Sequence, residues 1–207
     1  MELNPVLRID ALDFQFQTRA LFSRFQLHLG SGVTWLRGAN GAGKTTLLKL
    51  AGGALAPLAG SIRLDGVDSA RAALAYRLQS FYCGGDLPQL PWLTVREWLD
   101  LHAALYPALD AALLNRQLDA FALLPTLAQG VNTLSLGQHK KLQLALALAL
   151  PVRLLLIDEP FNGLDAAALV YLRAQLAQPE RLARQCILLT SHVEPGVPLA
   201  RSVDLPS

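Results

Sequence analysis

Gly38-Ala39-Asn40-Gly41-Ala42-Gly43-Lys44-Thr45 satisfies every fixed position of the phosphate-cradling pattern G-x-x-x-x-G-K-[ST]. The chemistry explains the spacing. Glycines let successive backbone N–H groups turn inward as a nest for phosphate oxygens, which β-carbons would obstruct. Lys44 brings a point charge toward the β- and γ-phosphates, and Thr45 offers a hydroxyl to Mg²⁺. The flanks suit the pattern. Val33-Thr34-Trp35-Leu36-Arg37 reads as a short buried strand, and Thr45-Thr46-Leu47-Leu48-Lys49-Leu50 opens a helix whose N-terminus attracts anions. The stretch predicts binding of a nucleoside triphosphate, with Asn40, Gly41, Ala42, Gly43, Lys44, Thr45 and Thr46 in contact.

At 207 residues, 52% apolar and 16% charged, the chain has room for one compact domain with a sizeable core and an inserted lobe. Mean hydropathy is positive, so some apolar surface is left over for a partner. A formal charge of +2 and the lack of a Lys/Arg run argue against nucleic acid. The start, Met1-Glu2-Leu3-Asn4-Pro5, has neither the basic nor the apolar stretch of a signal peptide. Gln143, Pro151 and Arg153 interrupt the most apolar region, Leu142 to Ile157, which reads as a buried helix followed by a buried strand rather than a membrane span. Cys83 and Cys186 match no metal spacing and read as core or loop thiols in a reducing cytosol.

Strand-like apolar runs recur near Val6 to Ile9 and at Val33 to Leu36, Ile62 to Leu64, Ala73 to Leu78, Leu154 to Ile157 and Ile187 to Leu189. Helix-like stretches cover Thr45 to Leu50, Thr94 to Leu105, Ala111 to Leu123, Gln138 to Ala149 and Ala166 to Ala177. Such alternation predicts an α/β fold with a central, mostly parallel sheet. From Val95 to about Ala149 no strand is expected, so residues 87–149 read as a helical subdomain inserted between 1–86 and 150–207. Pro88 and Pro91 punctuate its start. Thr94 with Glu97 is a capping box, Pro107 ends the first helix, and Asp110 caps the next. The last residues, Pro195 to Ser207, predict a short strand or extended tail.

Leu154-Leu155-Leu156-Ile157-Asp158-Glu159 is an aliphatic run ending in two carboxylates. A strand buried on both faces has this look, and its carboxyl end is where an open α/β sheet places ligands. Successive strand side chains point opposite ways, so the two acids have separate tasks. Asp158 is expected to hold Mg²⁺ beside Thr45, and Glu159 to orient or deprotonate the attacking water. Leu134-Ser135-Leu136-Gly137-Gln138 precedes a strongly helical segment. A hydroxyl, a glycine and free N–H groups at its start make an anion site, although alone it is equally a plain Ser cap.

Taken together, and in this order, these motifs resemble the ATP-binding subunit of ABC transporters over nearly the whole chain. Gly38 to Thr45 resembles Walker A, Leu134 to Gln138 the LSxGQ signature, and Leu154 to Glu159 Walker B with its following glutamate. Asn162-Gly163-Leu164-Asp165 resembles the D-loop. Gln79, after the strand-like Ala73 to Leu78, takes the Q-loop position, and His192 that of the switch histidine. Phe16 falls where the family stacks an aromatic on adenine; Phe14 and Phe16 share one strand face, so either is also a core candidate.

The resemblance implies a P-loop NTPase core with an N-terminal antiparallel β portion, ATP and Mg²⁺ as cofactors, and Gln79 beside Thr45 and Asp158 at the metal. It also implies two ATPase subunits closing head to tail, with Ser135, Gly137 and Gln138 of one on the nucleotide of the other. An integral membrane permease then takes up the motion, with the ATPase cytoplasmic and peripheral on the inner face of the membrane. Lys44, Gln79, Glu159 and His192 are the implied catalytic set. Leu146 departs from the family, where an arginine is common. Among subtypes, the chain is similar both to ATPases serving ABC-2-type exporters and to the haem exporter of cytochrome c maturation. A soluble ABC-type ATPase, a non-hydrolysing regulator and a P-loop kinase are the competing classes.

Overall fold

The computed structural model describes residues 5–16, 19–85 and 90–205. In chain order it contains β1 (Leu7–Phe16), β2 (Arg19–Leu29), β3 (Gly32–Arg37), α1 (Lys44–Ala51), β4 (Ala59–Leu64), β5 (Val67–Asp68), α2 (Ala73–Arg77) and β6 (Ser80–Cys83). Then follow α3 (Val95–Leu105), α4 (Ala111–Ala120), two 3₁₀ turns and α5 (Leu136–Ala149). The last part holds β7 (Leu154–Ile157), α6 (Ala166–Leu176), α7 (Pro179–Arg184), β8 (Cys186–Thr190) and β9 (Arg201–Asp204).

The strands form two sheets. One is antiparallel in the order β2-β1-β4-β5, and the other is parallel throughout in the order β6-β7-β8-β3-β9. Every residue of β7 and β8 is buried, as their unbroken aliphatic runs require of strands covered on both faces. Alternation then splits β7 between two cores. Leu154 and Leu156 pack with α1 and the antiparallel sheet, whereas Leu155 and Ile157 pack with α5 and the helices before it. Helix α5 is buried from Leu142 to Ala149, so it is apolar all round rather than on one stripe.

Between residues 95 and 149 the described chain holds helices and turns and one isolated bridge, Thr94 to Gly130. Helix α3 starts with the full capping box: Glu97 N–H donates to Thr94 Oγ1 at 3.2 Å and Thr94 N–H to Glu97 Oε2 at 2.8 Å. Asp110 caps α4, accepting from the N–H groups of Ala112 and Leu113 at 2.9 Å each. Pro88 lies outside the described residues. Cys83 and Cys186 are unpaired and buried, and burial pushes both thiols up to about 12.

One expected strand is a helix. Ala73 to Leu78 forms α2, and the strand is the next four residues, Ser80–Cys83. A six-residue apolar run has no decisive period. Ala, Leu and Arg are strong helix formers, and the run contains no β-branched residue. Tyr76 anchors α2 in the core while Leu74 and Leu78 stay exposed. β2 was not expected at all: it carries exposed Arg19, Ala20, Ser23 and Arg24 at the edge of its sheet, which blunts its alternation.

Candidate nucleotide-binding site

Parallel pairing gathers chain segments that are distant in sequence. Leu36 pairs with Thr190, and Ile157 with Leu189, so the residues leaving β3, β7 and β8 meet at the carboxyl end of the sheet. A cavity of about 670 Å³ opens there. Asn40, Gly41, Gly43, Lys44, Thr45 and Thr46 line one wall, and Asp158, Glu159, His192 and Lys140 line another. Phe16, Arg19 and Leu21 close it on the side of the antiparallel sheet.

The phosphate loop is shaped by steric constraint. Gly43 has φ 95°, and a β-carbon there would meet Leu21 Cδ2 at 2.9 Å and Phe22 Cζ at 3.0 Å. Helix α1 begins at this glycine with no side-chain cap, which leaves its N-terminal end to a ligand. Lys44 Nζ donates to the carbonyls of Gly38 at 2.7 Å and Ala39 at 3.1 Å. Ala42 differs from its neighbours: its side chain is buried and its N–H closes a turn onto Ala39 O at 3.2 Å. Its side chain thus shapes the loop and does not line the cavity. Phe14 and Phe16 are placed differently. Phe14 is buried, while Phe16 is 54% exposed, faces the cavity and meets Phe14 edge-on at 5.0 Å.

The two carboxylates are held very differently. Asp158 Oδ2 accepts from Thr45 Oγ1 at 2.6 Å and from Tyr82 at 3.3 Å, and its Oδ1 accepts from Thr190 Oγ1 at 2.6 Å. Glu159 sits at φ 48°, in the left-handed region that costs a non-glycine residue about 1–2 kcal/mol. Its N–H donates to Thr190 Oγ1 at 2.9 Å, and its Oε2 accepts from Asn162 Nδ2 at 3.3 Å. Oε1 is buried without a hydrogen-bond partner, and His192 Nε2 stands 3.5 Å from it. A strained backbone at a residue that lines the cavity and holds a buried, unsatisfied carboxylate oxygen marks Glu159 as a candidate reactive position.

A family model described as ABC transporter matches residues 23–162, well over half of the chain. The chain belongs to the ABC transporter ATP-binding family. This ABC ATPase is 32% identical over 203 residues to the cytochrome c biogenesis ATP-binding export protein CcmA of Pseudomonas savastanoi pv. phaseolicola, covering 97% of this chain and 95% of the relative. It is 33% identical over 197 residues to the protein of the same description from Sphingopyxis alaskensis, covering 95% and 94%. A solved ATP-binding subunit of an ABC transporter superposes with a TM-score of 0.81 at 29% identity, covering 91% of this chain and 80% of that one. Family and fold agree on a P-loop ATPase that converts ATP and water to ADP and phosphate.

Gln79 is not in the site of this ABC ATPase. It precedes β6 instead of following a strand, at the opposite end of the parallel sheet. Its amide donates to Ala75 O at 3.2 Å, and its carbonyl accepts from Arg153 and Leu154 N–H at 2.9 Å each. The mistaken strand over residues 73–78 caused the error: one element too early reverses which end of a strand a residue occupies. Gly84 and Gly85 leave the carboxyl end of β6, and Gly85 lines the cavity.

Ser135, Gly137 and Gln138 lie apart from the main cavity. Gln138 N–H donates to Ser135 Oγ at 3.2 Å, and Ser135 N–H to Gln138 Oε1 at 2.9 Å, a complete capping box. Gly137 borders a neighbouring cavity of about 330 Å³, and its Cα packs where a β-carbon would come 3.1 Å from Gly163 O. Leu136, next to it, is 89% exposed.

Sequence reasoning missed three residues here. Thr190 joins both acids, and the register of β7 on β8 is the signal that places it beside Asp158. Trp35 donates its indole N–H to Ser191 O at 3.1 Å and so fixes the peptide before His192. Lys140 reaches the turn after β7, which no spacing rule foretells.

Proposed function

We propose that the chain is the energy-supplying subunit of an export system of cytochrome c biogenesis, docked on an integral membrane permease at the inner face of the cell membrane. The observation that carries the chemistry is the convergence of Lys44, Thr45, Asp158, Glu159 and His192 on one cavity from distant parts of the sequence. The export role rests on the relatives, which align over nearly their full length and carry that description. It favours the cytochrome c pathway over ABC-2-type export.

Lys44 and the uncapped start of α1 hold the phosphates, and Phe16 stacks on adenine. Thr45 Oγ1 and Asp158 Oδ2 are hard oxygen donors already 2.6 Å apart, a pair that suits Mg²⁺ together with phosphate oxygens. Mg²⁺ bound there would neutralise charge on the transferred phosphoryl group. Glu159 orients the attacking water and takes its proton on the otherwise unpartnered Oε1. His192, pinned through Ser191 by Trp35, contacts the γ-phosphate beside it. Two copies close head to tail, bringing Ser135, Gly137 and Gln138 of one onto the nucleotide of the other and excluding water. Residues 1–86 and 150–207 act as the nucleotide-binding core, and residues 87–149 act as the subdomain that moves with the permease. No nucleic acid takes part.

A pull-down of tagged Glu159→Gln from gently solubilised membranes, with ATP and Mg²⁺, tests this reading. Recovery of a polytopic membrane protein encoded with cytochrome c maturation functions is expected. Recovery of a soluble homodimer alone, or of ribosomes or DNA, would overturn the coupling to transport. Recovery of an ABC-2-type permease would reassign the pathway.

A further inference from the structure

Lys140 lies one turn into α5, and its side chain crosses to the turn that follows β7. Its Nζ donates to two backbone carbonyls there, those of Glu159 and of Asn162, the latter at 2.9 Å. These two oxygens bracket the turn that carries Glu159 in its left-handed conformation. Both partners are neutral peptide oxygens. Burial pulls the ammonium down from the usual lysine range, opposed by the nearby charges of Asp158 and Glu159. Among the described residues no carboxylate pairs directly with it, and a desolvated ammonium so placed carries a cost that a surface tether would not.

A tether for the fold alone is already present. Lys141, the next residue of α5, pairs with Asp165 at the start of α6. What Lys140 adds is control of the turn between them. With the carbonyls of Glu159 and Asn162 drawn to one cation, Asn162 Nδ2 lies 3.3 Å from Glu159 Oε2, and the buried Oε1 is left 3.5 Å from His192 Nε2. Thr190 holds the preceding peptide of the same residue through the Glu159 N–H. Lys140 also borders both the main cavity and the one beside Gly137.

We infer that Lys140 is a positioning residue that ties the carboxylate of Glu159 to helix α5 of its own chain. The helix that presents Ser135 and Gly137 at its exposed end thus governs, one turn further on, the placement of the general base. The inference rests on Glu159 serving as that base.

The test is a double-mutant cycle on the full chain, read as phosphate release at saturating ATP, with ATP affinity and thermal midpoint measured alongside. Lys140→Met is expected to lower turnover between about tenfold and a hundredfold, as small misplacements of a reacting group do. Affinity for ATP stays within about twofold of the parent, and Lys140→Arg restores most of the loss. In the Glu159→Gln background, Lys140→Met is expected to cost nothing further. If it multiplies the Glu159→Gln defect by the factor seen in the parent, or leaves the parent unchanged, the inference is overturned while the role of Glu159 stands. If Glu159→Gln turns over like the parent, the base assignment fails and the inference with it. Should Lys140→Met not fold, Lys140→Gln, whose amide keeps two N–H donors, goes through the same cycle with the same outcomes deciding it.

Discussion

Helices α1 and α5 both begin at short glycine-containing motifs that suit an anion, yet they begin in opposite ways. α1 starts at Gly43 with no side-chain cap, inside a cavity whose other wall carries Asp158, Glu159 and His192. α5 starts with its own capping box, Ser135 against Gln138, beside the exposed Leu136. The first end has no cap of its own, and Asp158, Glu159 and His192 of the same chain stand across the cavity from it. The second is finished without a ligand and faces outward. In the reading proposed above, nucleotide binds to one copy and the Ser135 end serves a second.

Breaking the α1 end should have the largest combined effect, because binding and turnover fall together. Lys44→Ala removes a charged donor worth about 1.5–3 kcal/mol to a phosphate. ATP affinity measured by calorimetry should fall by roughly tenfold to a hundredfold, and turnover by about 10²–10³. Glu159→Gln is expected to cost about 10²–10⁴ in phosphate release while affinity holds, because only the proton acceptor is lost. Ser135→Arg sharpens the comparison most directly. A single copy should still bind ATP with parental affinity, but turnover should drop by roughly tenfold or more as closure is blocked. Weakened binding in the single copy would put the two helix ends in one site after all.

Smaller effects test the scaffold. Thr190→Val strands Asp158 Oδ1 and the Glu159 N–H, at about 1–3 kcal/mol for each buried group left unpaired. The thermal midpoint should fall by about 2–4 °C per kcal/mol in a chain of this length. The weakest effect is pH-dependent. Hydrogen bonds from Thr94 N–H and hydroxyl hold the Glu97 carboxyl below its ordinary value. Its contribution is therefore present above the unfolded pKa and is lost as pH falls through the folded one. A small loss of thermal midpoint from Glu97→Gln should be seen at neutral pH and shrink progressively as pH falls below the ordinary glutamate range.

The α1 end was legible in the sequence because its function forces residues to fixed intervals along one stretch of chain. Lys44, Thr45 and Asp158 stand at the carboxyl end of the sheet where strand–loop–helix reasoning expected them, and His192, singled out by the family resemblance, lines the same cavity. Gln79 failed because its placement depended on one short apolar run whose period was undecided, and a helix took the place of the strand. Thr190 and Lys140 were invisible for another reason. Their contacts are created by register between β7 and β8 and by the packing of α5 on the turn at Glu159, both of which join residues far apart in sequence. β2 was hidden by its exposed edge, which carries polar residues for solubility instead of a pattern.

The burial of both sulfur atoms has a practical side. The sequence contains two cysteines, each enclosed in the core and held as unreactive thiol at neutral pH. A maleimide dye added to the folded protein would find neither. A single cysteine introduced at exposed Val193 or Leu136 would accept label alone, without a cysteine-free background having to be built first. The distance between two such dyes, one on each copy, could then be followed by energy transfer as nucleotide is added.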